Sequence, residues 1–100
     1  MRISEGIRRT MKKKILDHSE RYTKLGLIIA YYRKLRGLTQ MQLAELIDVS
    51  RTHLSNIEAP NIPTSISLDT LFHIADALEI PVYYFFDFKE ELPPGRKKNT

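Results

Sequence analysis

Residues 37 to 58, GLTQMQLAELIDVSRTHLSNIE, place two short helical patterns on either side of a tight-turn signal. Thr39 followed at the third position by Gln42 fits a capping box, in which each side chain bonds the other residue's backbone N–H at the start of a helix. Leu43, Leu46 and Ile47 supply the apolar face of that first helix, and Ala44 is small enough to let a following helix approach closely. Asp48 falls in the turn, where it tolerates a left-handed backbone better than most residues with a β-carbon. Val49 then enters the core, and Ser50 is a good N-cap for the second helix. Leu54 and Ile57 share one face of that helix, which leaves Arg51, Thr52, Ser55 and Asn56 to the other. The spacing thus sorts packing residues from contact residues.

The remaining chain reads as further helices. Ile3, Ile7, Met11 and Ile15 recur every four residues among Arg8, Arg9, Lys12, Lys13 and Lys14, which predicts an amphipathic helix. Three uses stay open for it: a docking helix, a phosphate-contacting arm, or a membrane-surface helix, the last disfavoured by a thin apolar stripe without aromatic anchors. A longer helix is predicted from Ser19 or Tyr22 to Arg36, with Leu25, Ile28, Ile29, Tyr32 and Leu35 inward; Gly37 closes it at positive φ and Leu38 makes the apolar contact beyond. Pro60 stops the motif's second helix and opens a loop to Ile66. Ser67 caps another helix carrying Leu68, Leu71, Phe72, Ala75 and Leu78 inward, with Asp69 favourably placed in its first turn. Pro81 suits the first turn of a last short helix through Phe86. One helix cannot bury every ring of Tyr83, Tyr84, Phe85 and Phe86, so these divide between core and partner roles. From Glu90 onward the sequence lacks apolar periodicity and reads as a flexible basic tail.

Composition excludes several classes of function. With no cysteine, disulfides, thiolate zinc sites and cysteine nucleophiles are ruled out. His18, His53 and His73 are widely separated, and there is no phosphate-cradling glycine motif or acyl-transfer constellation. We therefore expect no enzyme, no metal centre and no cofactor. No uncharged run approaches the roughly 20 apolar residues of a membrane span, and Met1 to Ser19 carries charges throughout, so a soluble, unprocessed, cytoplasmic chain is expected. Residues 1 to 36 hold eleven Lys or Arg against three Asp or Glu, a formal +8; residues 37 to 95 hold two against nine, −7; the last five add +3. Attraction to a polyanion must come mainly from the two ends. The expected organisation is a basic amphipathic extension over 1–18, a globular domain over 19–88 and a basic tail over 89–100.

The 37 to 58 stretch, with YYRKLRG before it and ISLDTLFHIADALEIPVYYFF after it, resembles the Cro and lambda-repressor-like (Xre) family of helix-turn-helix DNA-binding proteins over roughly residues 22 to 86. The resemblance implies an all-α, compact five-helix lambda-repressor-like DNA-binding domain, to which the reading above adds an N-terminal helical segment. It implies a transcriptional regulator, expected to be a repressor acting as a homodimer on a palindromic operator. Gln40 then resembles a phosphate clamp, Ser50 and Asn56 mixed backbone or base-edge contacts, and Arg51, Thr52 and Ser55 specificity positions. Arg33 and Glu58 resemble a salt bridge beneath the DNA-facing surface, with the arginine oriented for phosphate. Arg51 can donate two bonds to guanine, worth about 1–3 kcal/mol of discrimination. Thr52 can read either a polar base edge or a thymine methyl, and Asn56 either adenine or a phosphate. Arg8, Arg9, Lys12, Lys13 and Lys14 are candidate phosphate contacts, and Tyr83, Tyr84 and Phe85 candidate dimer contacts.

Three departures from the family pattern stand out. The loop between Glu58 and Ser67 is longer, with Ala59-Pro60 in place of a glycine-containing exit; Asp48 replaces the usual turn glycine; Pro81 replaces a frequent serine cap. The alternative function is an antitoxin-like subunit that neutralises a toxin through its exposed aromatics and N-terminal segment and also regulates its own promoter. In either case double-stranded DNA is an expected partner and a membrane is not.

Overall fold

A computed structural model describes residues 18–90. The order is α1 (Ser19–Leu35), α2 (Gln40–Leu46), α3 (Arg51–Glu58), α4 (Leu68–Leu78) and a 3-10 helix (Val82–Phe86), with no strand among the described residues. The last expected helix is thus a short 3-10 segment, and Pro81 precedes it as an extended N-cap residue instead of occupying its first turn. The predicted amphipathic helix before His18 and the tail beyond Glu90 lie outside the described residues.

Local chemistry accounts for the helix ends. Thr39 and Gln42 form the reciprocal capping box, with Gln42 N–H donating to Thr39 Oγ1 at 3.1 Å and Thr39 N–H to Gln42 Oε1 at 2.8 Å. Ser50 and Ser67 cap α3 and α4 by accepting from His53 N–H and Thr70 N–H. At the other ends, α1, α2 and α4 close in the same way. The residue after the last turn adopts positive φ (Gly37 at 74°, Asp48 at 57°, Glu79 at 56°). The following N–H reaches back five residues, from Leu38 to Arg33, from Val49 to Ala44 and from Ile80 to Ala75. A left-handed residue with a β-carbon costs roughly 1–2 kcal/mol. At Glu79 the conformation is supported from α1, because Arg36 donates to the Leu78 carbonyl at 2.7 Å and the Glu79 carbonyl at 3.1 Å.

The helices enclose a core centred on Ile29, Leu43, Leu54, Ile57, Ile74, Leu78 and Phe85. Four leucine and aromatic side chains expected inside are exposed: Leu35, Leu46, Leu68 and Phe72. Successive residues advance about 100° around a helix. The buried stripe of α1 runs through Leu25, Gly26, Ile29 and Arg33, and this line leaves Leu35 on the opposite flank. On α2 the inward flank is taken by Ala44, which displaces Leu46 outward; on α4 Ile74 takes the place that Leu68 and Phe72 were expected to share. Small residues and a charged one thus define faces that larger hydrophobic residues would otherwise be expected to claim.

Gly26 sets the tightest contact. A β-carbon there would stand 1.9 Å from the Ile57 carbonyl oxygen, so α1 and α3 cross with backbone against backbone. Gly26→Ala gains at most about 1 kcal/mol of helix propensity. The clash is with a main-chain atom that cannot rotate away, and overpacking of this kind costs about 1–3 kcal/mol or more. With the main-chain clash at the upper end of that range, net destabilisation of about 2 kcal/mol is expected in urea unfolding; an unchanged or raised midpoint would show that the helices separate freely.

Candidate nucleic-acid interface

α3 presents two chemically distinct faces. Leu54, Ile57 and Glu58 are buried, while Arg51 and Thr52 are exposed and Ser55 and Asn56 half-buried. Arg51 makes no hydrogen bond or ion pair among the described residues, so its planar donor fork is available to an outside acceptor. Ser50 lies at the head of the same face, with its oxygen engaged as the cap. Gln40 begins α2, the helix packed against α3. The capping box leaves the N–H groups of Gln40 and Met41 without an acceptor inside the helix, and such groups attract anions.

Beneath this face Glu58 joins three chain segments. Arg33 Nε donates to Glu58 Oε2 at 2.7 Å and Arg33 Nη2 to Glu58 Oε1 at 2.8 Å, a bidentate pair with both side chains more than nine-tenths buried. Arg33 Nη1 donates to the Leu38 carbonyl at 2.7 Å, and Gln40 Nε2 to Glu58 Oε1 at 3.0 Å. No buried side-chain nitrogen or oxygen among the described residues lacks a partner. The expected Arg33–Glu58 pair is therefore present. Three of the five Arg33 N–H groups are spent on Glu58 and the Leu38 carbonyl, so the guanidinium positions α3 against α1, and its expected contact with phosphate stays a proposal. Gln40 likewise spends an amide donor inward, a link that its type and position did not reveal.

The charge of the motif also changes meaning. Glu58 is matched by Arg33, so the uncompensated acids of the motif are the exposed Glu45 and Asp48, set against Arg51. The five basic candidates, Arg8, Arg9, Lys12, Lys13 and Lys14, lie outside the described residues. Among the described residues no group of three His, Asp or Glu is arranged to hold a metal ion, and no helix is long and apolar enough to cross a membrane.

The aromatic segment divides between core and surface. Phe85 is fully buried, which corrects its candidacy as a dimer contact, whereas Tyr83 and Tyr84 are exposed. Their rings meet edge-on at 5.2 Å, and Tyr84 reaches Tyr32 at 5.8 Å, which in turn meets Tyr31 at 5.0 Å. Tyr31 and Leu35 extend this exposed strip along α1. Neither was singled out as a surface residue; their four-residue spacing on the flank opposite the buried stripe was the available signal.

Comparison with known proteins places these features in context. The family model described as helix-turn-helix matches residues 29–85. The HTH-type transcriptional regulator SinR of Bacillus subtilis is 34% identical over 67 residues, covering 67% of this chain and 60% of SinR. An uncharacterized HTH-type transcriptional regulator of Rickettsia conorii is 39% identical over 67 residues, covering 67% of this chain and 52% of its own length. The similarity thus spans little more than half the length of either relative.

The buried pair yields a direct test. Glu58→Gln keeps the side-chain shape but leaves the Arg33 charge uncompensated in the interior, where breaking one side of such a pair costs about 3–5 kcal/mol. Chemical denaturation is expected to show a loss in that range, and DNA affinity to fall with little change in sequence preference. A variant with wild-type stability and affinity would remove the pair from its central role.

Proposed function

The chain belongs to the helix-turn-helix family of transcriptional regulators, and from that premise we propose that it is a sequence-specific repressor that binds a palindromic operator as a homodimer. In this reading the five helical segments take the lambda-repressor-like arrangement, with α3 in the major groove and the start of α2 on the phosphate backbone. The observation that carries it is the outer face of α3, where Arg51 and Thr52 are exposed and Ser55 and Asn56 half-buried, while Glu58 on the same helix is anchored to α1 and α2. Arg51 and Thr52 supply most of the base preference. Ser55 and Asn56 add contacts, and Ser50 and Gln40 fix the register against phosphate.

One such helix reads few bases. Two copies on half-sites roughly 34–36 Å apart lengthen the sequence read and match protein symmetry to operator symmetry. Tyr83 and Tyr84, exposed and in ring contact, are the proposed dimer contacts on each copy. The same exposed rings favour the antitoxin-like reading as a second possibility, with a toxin in place of the second copy.

Selection from a random duplex-DNA pool is expected to return a consensus of two half-sites, with Arg51→Ala relaxing one position in each half. Recovery of no consensus at low salt would shift the reading to the protein-partner alternative. Replacing Arg8, Arg9, Lys12, Lys13 and Lys14 with glutamine is expected to flatten the dependence of log affinity on log salt by about 0.9 for each phosphate that is no longer neutralised. An unchanged slope would assign that segment to something other than phosphate.

A further inference from the structure

The described fold begins at the edge of an apolar cleft. The first two turns of α1 and the chain around the 3-10 helix enclose about 440 Å³, with Tyr22, Leu25, Phe86 and Phe88 supplying the apolar lining. Charged groups at the rim are already matched: Arg21 Nε donates to Glu90 Oε2 at 2.6 Å, and Arg21 Nη1 lies 3.2 Å from His18 Nδ1. Lys24 donates to the Lys89 carbonyl at 3.2 Å and stands 5.5 Å from the centre of the Phe88 ring. What remains unmatched is apolar surface, including the exposed Phe86. Such a cleft selects an aliphatic occupant over a charged one.

We propose that the chain's own residues 3–15 occupy this cleft, seating Met11 and Ile15 against Tyr22, Leu25, Phe86 and Phe88. Three observations favour this occupant. The segment carries Ile3, Ile7, Met11 and Ile15 at four-residue spacing, which makes one continuous apolar stripe on a helix. It is tethered at the cleft itself, because His18 is a lining residue, so Ile15 is within about 10 Å along even an extended chain. Met11 lies about 6 Å further along a helix, a distance on the scale of the first turns of α1. A short tether holds the segment at an effective concentration on the order of millimolar, an advantage no separate partner has.

The other terminus reaches the same rim at Glu90 but is poorly suited to fill it. Its sequence LPPGRKKNT offers Leu92 as its single large apolar side chain, followed by two prolines and a run of basic residues. Docking of residues 3–15 also places Arg9, Lys12 and Lys13 away from the stripe and open to solvent. The apolar and basic halves of the segment thereby serve different ends, and the docking stands independently of the DNA-binding reading.

The chain contains no cysteine, so Thr10→Cys provides a single site for a nitroxide spin label on the full-length protein. In DNA-free solution, NMR signals of Leu25, Phe86 and Phe88 are expected to lose intensity at least fivefold relative to the reduced label. Met11→Asp combined with Ile15→Asp is expected to restore them, while unchanged Ile29 and Leu54 methyl shifts report an intact core. A mixture of isotope-labelled chain without nitroxide and unlabelled chain with nitroxide is expected to show no such loss. Undiminished cleft signals, broadening only in the mixture, or broadening that survives the double substitution would each overturn the proposal.

Discussion

The bidentate pair between Arg33 and Glu58 sets the geometry on which the rest of the domain depends. Glu58 lies in the last turn of α3, Arg33 near the end of α1, Gln40 at the start of α2 and the Leu38 carbonyl in the link between α1 and α2. Four hydrogen bonds through two buried charged groups therefore tie α3, the helix that carries the proposed reading face, to the two helices that frame it. Taking both charges out of water costs several kcal/mol, which well-formed bonds on both partners must offset. Gly26 makes the arrangement possible: it stands two turns before Arg33 on the same face of α1 and lets α1 and α3 approach until the pair is enclosed. The pair and the glycine are thus parts of one device, a close helix crossing locked by a charge-assisted bond.

That device also separates the roles of charge in the molecule. Glu58 contributes no net repulsion toward a polyanion because its charge is met by Arg33, and the proposed reading face is left with Arg51 against the exposed Glu45 and Asp48. A face of this kind suits discrimination by shape and hydrogen bonding better than long-range attraction. The excess of positive charge lies over residues 1–36, half of it before α1 and half along α1 and Arg36, and at the far end of the chain.

Much of this was legible in residue types and spacing. The capping box at Thr39 and Gln42, the serine caps at Ser50 and Ser67, and the left-handed positions at Gly37 and Asp48 depend on interactions within a few residues, and each is present. The third left-handed position was not legible. Glu79 has no intrinsic preference for it, and its support arrives from Arg36, 43 residues earlier. The misassigned faces have a similar origin. Leu35, Leu46, Leu68 and Phe72 have the hydrophobicity of core residues, yet the helices meet along lines through Arg33, Ala44 and Ile74.

The amino-acid sequence by itself determined the helices of the domain, their order, the turn between α2 and α3 and the division of α3 into packing and solvent-facing residues, because these follow from backbone chemistry and side-chain period. Only the tertiary structure decided which hydrophobic residues are enclosed, that Phe85 belongs to the core while Tyr83 and Tyr84 stay outside, and that Arg33 and Gln40 turn inward to Glu58. Those choices depend on how closely two helices can approach. Between α1 and α3 that distance is set at Gly26, whose missing β-carbon gains its meaning from the Ile57 carbonyl on the other side of the contact.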